Sequence, residues 1–371
     1  MRFIVTSSAL LKHLQQISGV TNASTVLPIL EDFLFVVEKN KLTVMASDLE
    51  SFMKIEMDVD ATEPGKICIP AKILLDTLKN IPDQPLTISI EENYSIEITS
   101  NNGRYKVLGE NPDNFPKEPD HSGSDSFTIP SRILLRAINK TLFAVSNDDL
   151  RPAMNGVYME MEDEGLLFVA TDAHKLVRYK RTDVGTQSTN SVILPKKPLN
   201  ILKSILPDTQ EEITAGFNEK HFFIELKNIR MSFRLIDARF PDYRVVIPKD
   251  NPYKLRVDKS SFQSALRRVS IYSNKTTNQV VLTITGSELQ LHAQDVDFSY
   301  ESSERMPCQY DGEDLTIAFN AKSLIDMLNV TETEEVIMEL STPSRAGIIK
   351  PSENEPDEDV LMLLMPLMIN Q

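Results

Sequence analysis

The chain has 371 residues, of which 41% are hydrophobic, and its formal net charge is −15. This length allows two or three domains with ordinary cores, and no apolar run approaches the roughly 18 residues of a membrane-spanning helix. The two cysteines, Cys68 and Cys308, lie far apart and outside any metal-ligand spacing, so we expect no disulfide framework and a reducing, cytoplasmic setting. Counted over the whole chain, this acidic charge disfavours nucleic acid as a partner.

A short strand followed by an amphipathic helix recurs three times along the chain, about 125 residues apart. The three strands begin at Phe3, Phe127 and Leu255. Each helix that follows has Ser or Pro near its N-cap and apolar residues at positions i, i+3 and i+4. The spacing therefore predicts a chain built from three repeats.

Each repeat contains a second strand and helix, at 65–80, 191–206 and 314–329. Alternating strands such as 52–57 lie between the helices, and their period of two predicts one buried and one solvated face. Each third of the chain is thus itself two similar halves. The pattern predicts an α+β fold of three repeated domains, each with two helices packed on antiparallel sheets.

Two stretches rich in Pro, Gly, Ser and Asp interrupt this pattern, at 119–126 and 249–253. They predict domain boundaries that divide the chain into residues 1–122, 123–251 and 252–371.

The charge is distributed unevenly between helices and strands. The six predicted helices are 7–17, 70–80, 130–145, 195–206, 259–272 and 320–329. Their basic residues are Lys12, Lys72, Lys79, Arg132, Arg136, Lys140, Lys196, Lys197, Lys203, Lys259, Arg267, Arg268 and Lys322. Their only acids are Asp76 and Asp326, so the helices carry a net charge of +11 and the rest of the chain carries −26.

Helix propensity alone does not account for this distribution, because Glu forms helices as readily as Lys or Arg. A basic face with few aromatic residues suits contact with the phosphates of duplex DNA, without base specificity. All of these cations except Lys259 and Lys322, together with Arg151, are predicted to contact DNA. Two alternatives remain open. In the first, the basic residues are simply good helix formers on solvated faces. In the second, the protein is a multi-partner scaffold whose basic helices bind an acidic protein.

Several short motifs carry a family resemblance that extends over essentially the whole chain. They are Leu27-Pro28-Ile29-Leu30, Ala170-Thr171-Asp172-Ala173-His174-Lys175-Leu176, Arg239-Phe240-Pro241-Asp242-Tyr243-Arg244, Ala318-Phe319-Asn320 and Met365-Pro366-Leu367. With the threefold repeat and the basic helices, these motifs resemble the bacterial sliding clamp family, the beta subunit of DNA polymerase III.

The resemblance implies a non-enzymatic processivity factor for DNA replication, cytoplasmic and associated with the nucleoid, without a cofactor. It implies a head-to-tail homodimer whose six domains close into a ring around duplex DNA. Edge strands of the first and third domains would pair across the dimer interface, with Tyr105 and Val107 on one side and Ile271 and Tyr272 on the other. The alternative is that these four residues belong to the cores of their own domains.

The resemblance also implies a pocket between the second and third domains for a short Gln-containing, Leu/Phe-rich peptide. Such peptides are carried by the replicative polymerase, the clamp loader, and translesion and repair proteins. Carried over by motif, the pocket residues are Met154, Thr171, His174, Lys175, Leu176, Pro241, Val246, Asn320, Leu363, Leu364, Met365, Pro366 and Leu367. The tail 361–368 is too apolar to be free, so we expect its first half to be a buried strand and its end to form a pocket wall.

The chain departs from the family pattern at several positions. Ala173 and Lys175 stand where Gly and Arg are common, and Pro152-Ala153 replace aromatic residues that are associated with gating of the pocket. The acidic stretch 350–359 is predicted to be mobile.

An enzyme is the weakest hypothesis. The chain lacks phosphate-loop, dinucleotide-binding and metalloprotease motifs, and its five histidines are scattered without metal-ligand spacing. Asp172 and His174 bring a carboxylate near an imidazole, but no serine or cysteine nucleophile accompanies them. We therefore expect no metal and no catalytic site.

Overall fold

The structure, a computed structural model, describes residues 1–21, 27–91, 93–185 and 189–369. The chain folds as two compact units. The first unit contains Met1–Leu135 and Lys197–Leu235, and the second contains Arg136–Lys196 and Ile236–Gln371. Among the described residues, no helix is long and apolar enough to cross a membrane.

The described residues form six α-helices, each directly after a strand. They are α1 (Ser7–Ile17), α2 (Ala71–Asn80), α3 (Ser131–Thr141), α4 (Lys196–Ile205), α5 (Lys259–Val269) and α6 (Ala321–Val330). All six predicted helices are confirmed. Helix α4 ends one residue earlier than predicted, and α3 and α5 end three or four residues earlier, because they continue as the 3-10 turns Leu142–Ala144 and Ser270–Tyr272.

The strands are numbered in chain order. The first ten are β1 (Arg2–Thr6), β2 (Asp32–Glu38), β3 (Lys41–Ser47), β4 (Ser51–Asp58), β5 (Asp60–Glu63), β6 (Gly65–Pro70), β7 (Pro85–Ile90), β8 (Ser95–Thr99), β9 (Arg104–Leu108) and β10 (Asp125–Pro130). The next eight are β11 (Gly156–Glu162), β12 (Gly165–Thr171), β13 (Lys175–Arg181), β14 (Asn190–Pro195), β15 (Glu212–Phe217), β16 (His221–Glu225), β17 (Ile229–Arg234) and β18 (Tyr253–Asp258). The last eight are β19 (Gln279–Ile284), β20 (Glu288–Asp295), β21 (Tyr300–Pro307), β22 (Gln309–Tyr310), β23 (Leu315–Asn320), β24 (Glu335–Leu340), β25 (Gly347–Pro351) and β26 (Glu358–Leu364).

Each unit contains two antiparallel sheets. The first unit has a sheet of order β5-β1-β7-β8-β9 and one of order β10-β15-β16-β17-β4-β3-β2-β6. The second unit has a sheet of order β14-β11-β12-β13-β26-β25-β24-β18-β22 and one of order β21-β20-β19-β23. The predicted α+β class with antiparallel sheets is confirmed.

The two large sheets repeat one arrangement. Each joins two halves through a single pair of strands, β4 with β17 in the first unit and β13 with β26 in the second. The register is equivalent, since Phe52 lies opposite Ser232 and Leu176 lies opposite Leu363. Each of the two smaller sheets corresponds to one half of a large sheet. Strand β9 corresponds to β17 and strand β21 corresponds to β4, but β9 and β21 lie at the edges of their sheets.

The helices bury their apolar faces against the sheets. In α1, Leu10, Leu14 and Ile17 are fully buried, and in α5 Phe262 and Leu266 are fully buried. Burial of a side chain of this size contributes about 1.5–3 kcal/mol. This packing leaves the polar faces of the helices for other roles.

A buried ionic cluster lies in the second unit. Arg136 of α3 donates two hydrogen bonds of 3.0 Å to the carboxylate of Glu358 on β26. The same carboxylate accepts a hydrogen bond from the Tyr179 hydroxyl at 3.1 Å, and Arg181 approaches it to 3.5 Å. Only 4% of the Glu358 side chain is exposed, so its charge depends on these partners.

The acidic stretch 350–359, predicted to be mobile, is held by this cluster. Glu355 lies 3.3 Å from Arg136, and Glu332, which follows α6, lies 2.9 Å from Arg136 and 3.3 Å from Lys140. Burial lowers the pKa of Lys140, although the neighbouring Glu332 opposes that shift. The stretch therefore supplies two carboxylates to Arg136, whereas the ion-pair partner of Lys140, Glu332, lies outside the stretch.

We predict that Glu358→Gln lowers the free energy of unfolding by about 3 kcal/mol, because it leaves Arg136 and Arg181 without their shared buried counterion. Urea denaturation followed by circular dichroism measures the change. Glu355→Gln is the matched control, since Glu355 is 45% exposed and its loss is expected to cost less than about 1 kcal/mol. Equal losses in the two variants would contradict the importance of the buried pair.

Candidate functional site

The turn between β12 and β13 is built by the side chains of Thr171 and Asp172. The Asp172 carboxylate accepts hydrogen bonds from the backbone N–H groups of His174 at 2.9 Å and Lys175 at 2.8 Å. The Thr171 hydroxyl donates to the Lys175 carbonyl at 2.7 Å and accepts from the Ala173 N–H at 3.1 Å. These bonds fix the positions of His174 and Lys175.

Ala173 occupies the left-handed region at φ 75°. This conformation costs a residue with a Cβ about 1–2 kcal/mol relative to glycine, which explains why the family commonly has Gly here. The departure noted in the sequence is therefore accommodated by the hydrogen bonds of the turn, at some cost in strain.

Asp172 and Lys175 also form an ion pair, with 2.5 Å between Lys175 Nζ and Asp172 Oδ2. Burial raises the pKa of the Asp172 carboxyl, but hydrogen bonds from the Lys175 side chain and from the backbone outweigh burial and hold the pKa below its ordinary value of 3.8. The carboxylate is therefore ionised at neutral pH and keeps the turn closed.

The chain after β26 returns to this turn. The backbone N–H of Met365 donates to the His174 carbonyl at 2.9 Å, and the N–H of Leu367 donates to the Ala318 carbonyl at 2.8 Å. Leu363 and Leu364 are buried, whereas Met365 is 40% exposed. The buried strand expected for the first half of the tail is present, and the chain becomes partly exposed directly after it, at Met365.

The remaining predicted pocket residues lie on three further segments. Pro241 and Val246 are exposed on the loop 236–248. Met154 is half-buried in the 3-10 turn Pro152–Met154. Asn320 has a structural task, because its side chain caps α6 by accepting from the Ser323 N–H at 3.0 Å.

An apolar cluster that the sequence analysis did not single out supports the turn, the tail and the loop. Phe240 stacks on Tyr158 with 4.7 Å between the ring centroids, and both pack with Leu176, Leu363 and Tyr243. Phe240 and Tyr243 belong to the sequence motif Arg239–Arg244. The motif can be recognised in the sequence, but the burial of its two aromatic side chains cannot. The cluster anchors the otherwise irregular loop.

Most of the cations predicted to contact DNA are exposed. Lys12, Lys72 and Lys203 are exposed and form no ion pair among the described residues. Other cations have partners close by: Lys79 with Asp76, Arg132 with Asp208, Arg151 with Asp148, Lys196 with Asn147, Lys197 with Asp48 and Arg267 with Asn329. Most of these pairs are exposed, exchange readily and are worth little energy; the exception is Lys197 with Asp48, whose carboxylate is only 5% exposed.

Three of the residues predicted to contact DNA are not free cations on an open basic face. Arg136 and Lys140 lie in the buried ionic cluster, where only 13% and 6% of their side chains are exposed. Arg268 is exposed but donates two hydrogen bonds to Glu304 of β21, at 2.8 and 2.6 Å. Helix periodicity cannot reveal these placements, because the acidic partners come from distant strands.

Two large antiparallel sheets of one arrangement, with six helices that each follow a strand directly, define a protein built from repeated clamp-like domains. Sequence models for the three domains of the DNA polymerase III beta subunit match in succession: the N-terminal domain at 1–119, the central domain at 128–242 and the C-terminal domain at 244–367. The chain belongs to the DNA polymerase III beta subunit family, whose members are non-catalytic processivity factors.

Individual relatives agree over the full length. The chain is 29% identical to the beta sliding clamp of Pseudomonas aeruginosa over 365 residues, which covers 98% of this chain and 99% of that protein. The crystal structure of the DNA polymerase III subunit beta from the same organism superposes with a TM-score of 0.93 at 30% identity, and each chain is fully covered. The sliding clamp of Bacillus subtilis gives a TM-score of 0.94 at 25% identity, again over both full chains.

We predict that Asp172→Asn lowers the free energy of unfolding at neutral pH by about 2 kcal/mol, because a neutral amide cannot replace the charge-assisted hydrogen bonds of the turn. The folded-state pKa of Asp172 is depressed, so its contribution is present above the ordinary value of 3.8 and is lost as the pH falls through the folded value. Urea unfolding of both proteins across this range measures the difference. A difference that did not shrink in acid would contradict the electrostatic origin.

Proposed function

We propose that this chain is the sliding clamp of a replicative DNA polymerase. It encircles duplex DNA without sequence specificity and tethers polymerases, a clamp loader, and translesion and repair proteins to it. The observation that carries the proposal is the match of three consecutive clamp domains over nearly the whole chain. We assign the domains to residues 1–122, 123–251 and 252–371, and the site of action to the nucleoid.

The repeated sheets support a head-to-tail dimer. Within the chain, β4 pairs with β17 and β13 pairs with β26. Strand β21 corresponds to β4 and β13, strand β9 corresponds to β17 and β26, and among the described residues neither has a partner on that side. Pairing β21 of one protomer with β9 of the other repeats the same junction. Two such junctions close a ring of six domains, because the interface is heterologous.

The repeat also gives the register of this junction. Glu301 occupies the position of Leu176. Glu301 pairs with Gln294 and Leu176 pairs with Thr171, and in both cases the partner is followed directly by an aspartate. The pairing of β9 with β8 matches the pairing of β26 with β25, so Lys106 occupies the position of Leu363. Lys106 of one protomer would therefore lie opposite Glu301 of the other, and opposite charges at a cross-strand position stabilise pairing.

Apolar residues flank this charged pair. Tyr105, Ile271 and Tyr272 are 41%, 63% and 43% exposed, and Val107 is half-buried, so none of the four is an ordinary buried core residue of its own domain. Burial of these residues against a second protomer supplies the apolar part of the interface.

We predict that Lys106→Glu weakens the dimer by about 10- to 30-fold, because like charges then face each other at both junctions of the ring. The reverse variant Glu301→Lys is expected to be equally weak alone, and the charge-swapped double variant is expected to restore the dimer. Light scattering over a dilution series measures the mass.

The same proteins test encirclement. Once a clamp loader has placed the dimer on DNA, it should survive a high-salt wash on circular DNA and be lost from linear DNA, because retention is topological. The Lys106→Glu ring should leave both substrates. Equal retention of the wild type on linear and circular DNA would overturn the clamp and favour a surface-binding scaffold, whose affinity falls with salt on both substrates.

We propose that the peptide pocket comprises the turn 171–176, the loop residues Pro241 and Val246, and the tail 363–367, with Met154 and Asn320 at its edges. The turn and the tail are joined by the hydrogen bond from Met365 to His174, and Met365 offers an exposed, adaptable apolar surface. Of the departures from the family pattern, Ala153 packs against the apolar cluster beneath the proposed pocket, and Lys175 forms an ion pair with Asp172 in the turn.

We predict that removal of the residues after Leu364 abolishes binding of a Gln-containing, Leu/Phe-rich peptide and that Met365→Ala weakens it at least about tenfold, because an apolar wall is lost. Fluorescence anisotropy of a labelled peptide measures binding, and light scattering checks that the dimer persists. Met368→Ala is the matched control, since that methionine is 90% exposed and the one hydrogen bond it makes, from the Gln279 side chain, is to its backbone carbonyl. Unchanged affinity in the truncated dimer would remove the tail from the pocket.

A further inference from the structure

A second concavity lies on the same face of the nine-stranded sheet as the proposed pocket. Side chains alternate along a strand, so Leu176, Arg178 and Lys180 of β13 share one face. Leu176 belongs to the pocket, and Arg178 and Lys180 line a cleft of about 370 Å³. The distance from Leu176 to Lys180 is about 14 Å, which four residues of an extended peptide span.

The floor of the cleft is continuous with the pocket. Leu167, Tyr243 and Ile247 line the cleft and belong to the apolar cluster that also contains Leu176 and Leu363. A ligand could therefore pass from pocket to cleft over one apolar surface.

The rim of the cleft is mainly cationic. Arg178, Lys180, Arg244 and Lys249 line it with a single carboxylate, that of Glu162. Lys249 is exposed and forms no ion pair in the part of the chain that the structure describes. The lining therefore carries an excess of positive charge beside an apolar floor.

The other three cations can change partners. Lys180 lies 3.1 Å from Glu164, whose side chain is 83% exposed, and Arg244 lies 2.7 Å from Glu160 while its guanidinium covers the Tyr243 ring. Arg178 pairs with Asp359, and its Nε is inaccessible to solvent and has no hydrogen-bond partner. One member of each pair is exposed, namely Asp359, Glu164 or Arg244, so each pair is open to solvent on one side and a ligand carboxylate can compete for its cation.

We propose that this cleft is an extension of the peptide pocket, and that it receives a short acidic and apolar segment flanking the clamp-binding motif of a partner protein. The inference rests on the proposed function of the pocket. A protein segment is favoured over nucleic acid, because the floor of the cleft is apolar and continuous with the proposed peptide pocket.

Four-residue extensions of the core peptide test the proposal. The acidic extension Glu-Leu-Glu-Asp is added to the N-terminus of one peptide and to the C-terminus of another, and each is compared with its neutral counterpart Gln-Leu-Gln-Asn. Binding to the full dimer is measured by fluorescence anisotropy at low and at high salt. We expect one acidic peptide to bind about two- to fivefold more tightly than its neutral counterpart, and the gain to vanish at high salt.

Lys249→Glu and Lys227→Glu are the matched pair of variants. Both lysines are exposed and free of ion pairs among the described residues, but Lys227 lies in the turn between β16 and β17, in the other unit. The gain from the acidic extension should disappear in Lys249→Glu and persist in Lys227→Glu, while the core peptide binds both alike.

Two results would overturn the proposed role of the cleft. The first is equal affinity of the acidic and neutral peptides, whether the extension is at the N-terminus or at the C-terminus. The second is a gain in affinity that Lys227→Glu abolishes as fully as Lys249→Glu, which would assign the effect to the overall charge of the protein. If the core peptide itself failed to bind, the proposed pocket would fall instead, so the two failures are distinguishable.

Discussion

The pairing of sheet edges is the constraint on which the rest of the structure depends. An unpaired edge strand exposes a row of backbone donors and acceptors, and a chain of repeated half-sheets creates such an edge at every half. The chain joins four of these edges in two pairs, β4 with β17 and β13 with β26. Of the strands that correspond to these four, β9 and β21 lie at sheet edges, and in the proposed dimer a second copy of the chain offers each of them its complement. Dimerisation would then follow from the same rule that builds the large sheets.

The three kinds of junction share a backbone arrangement but differ in the side chains on one face. At the first junction Phe52 faces Ser232 and is buried under Phe115, so the chain itself fills the position. At the second, Leu176 faces Leu363, and the loop above them leaves exposed apolar residues beside the pair. At the proposed dimer junction, the equivalent positions hold a lysine and a glutamate. On the proposed assignment, an apolar pocket forms at one kind of junction of the three, and specificity for a partner peptide would arise without any change in fold.

Much of the architecture was predictable because it rests on local periodicity. The helices and alternating strands follow from apolar spacing, and the turn at Asp172 follows from a short motif whose hydrogen bonds are local. The ionic cluster was not predictable in the same way. Arg136 and Glu358 are separated by 222 residues, and no pattern in the sequence indicates that the cation of a basic helix meets a carboxylate of an acidic stretch. Charge counted along a helix measures its electrostatic field, whereas the contact made by each cation depends on tertiary packing.

This distinction bears on how an acidic protein can enclose DNA. Pairing Lys197 with Asp48 or Arg151 with Asp148 lowers the local charge, so Lys12, Lys72 and Lys203, which form no ion pair with any residue that the structure describes, would contribute most to contact with phosphates. Few and weak contacts suit a ring that must slide, because each tightly held phosphate adds a barrier to translocation along the duplex. Retention then comes from closure of the ring and not from affinity, and the stability of the proposed β9–β21 junction would govern how long the protein stays on DNA. The strength of that edge pairing and the weakness of the basic surface are thus complementary requirements of one mechanism.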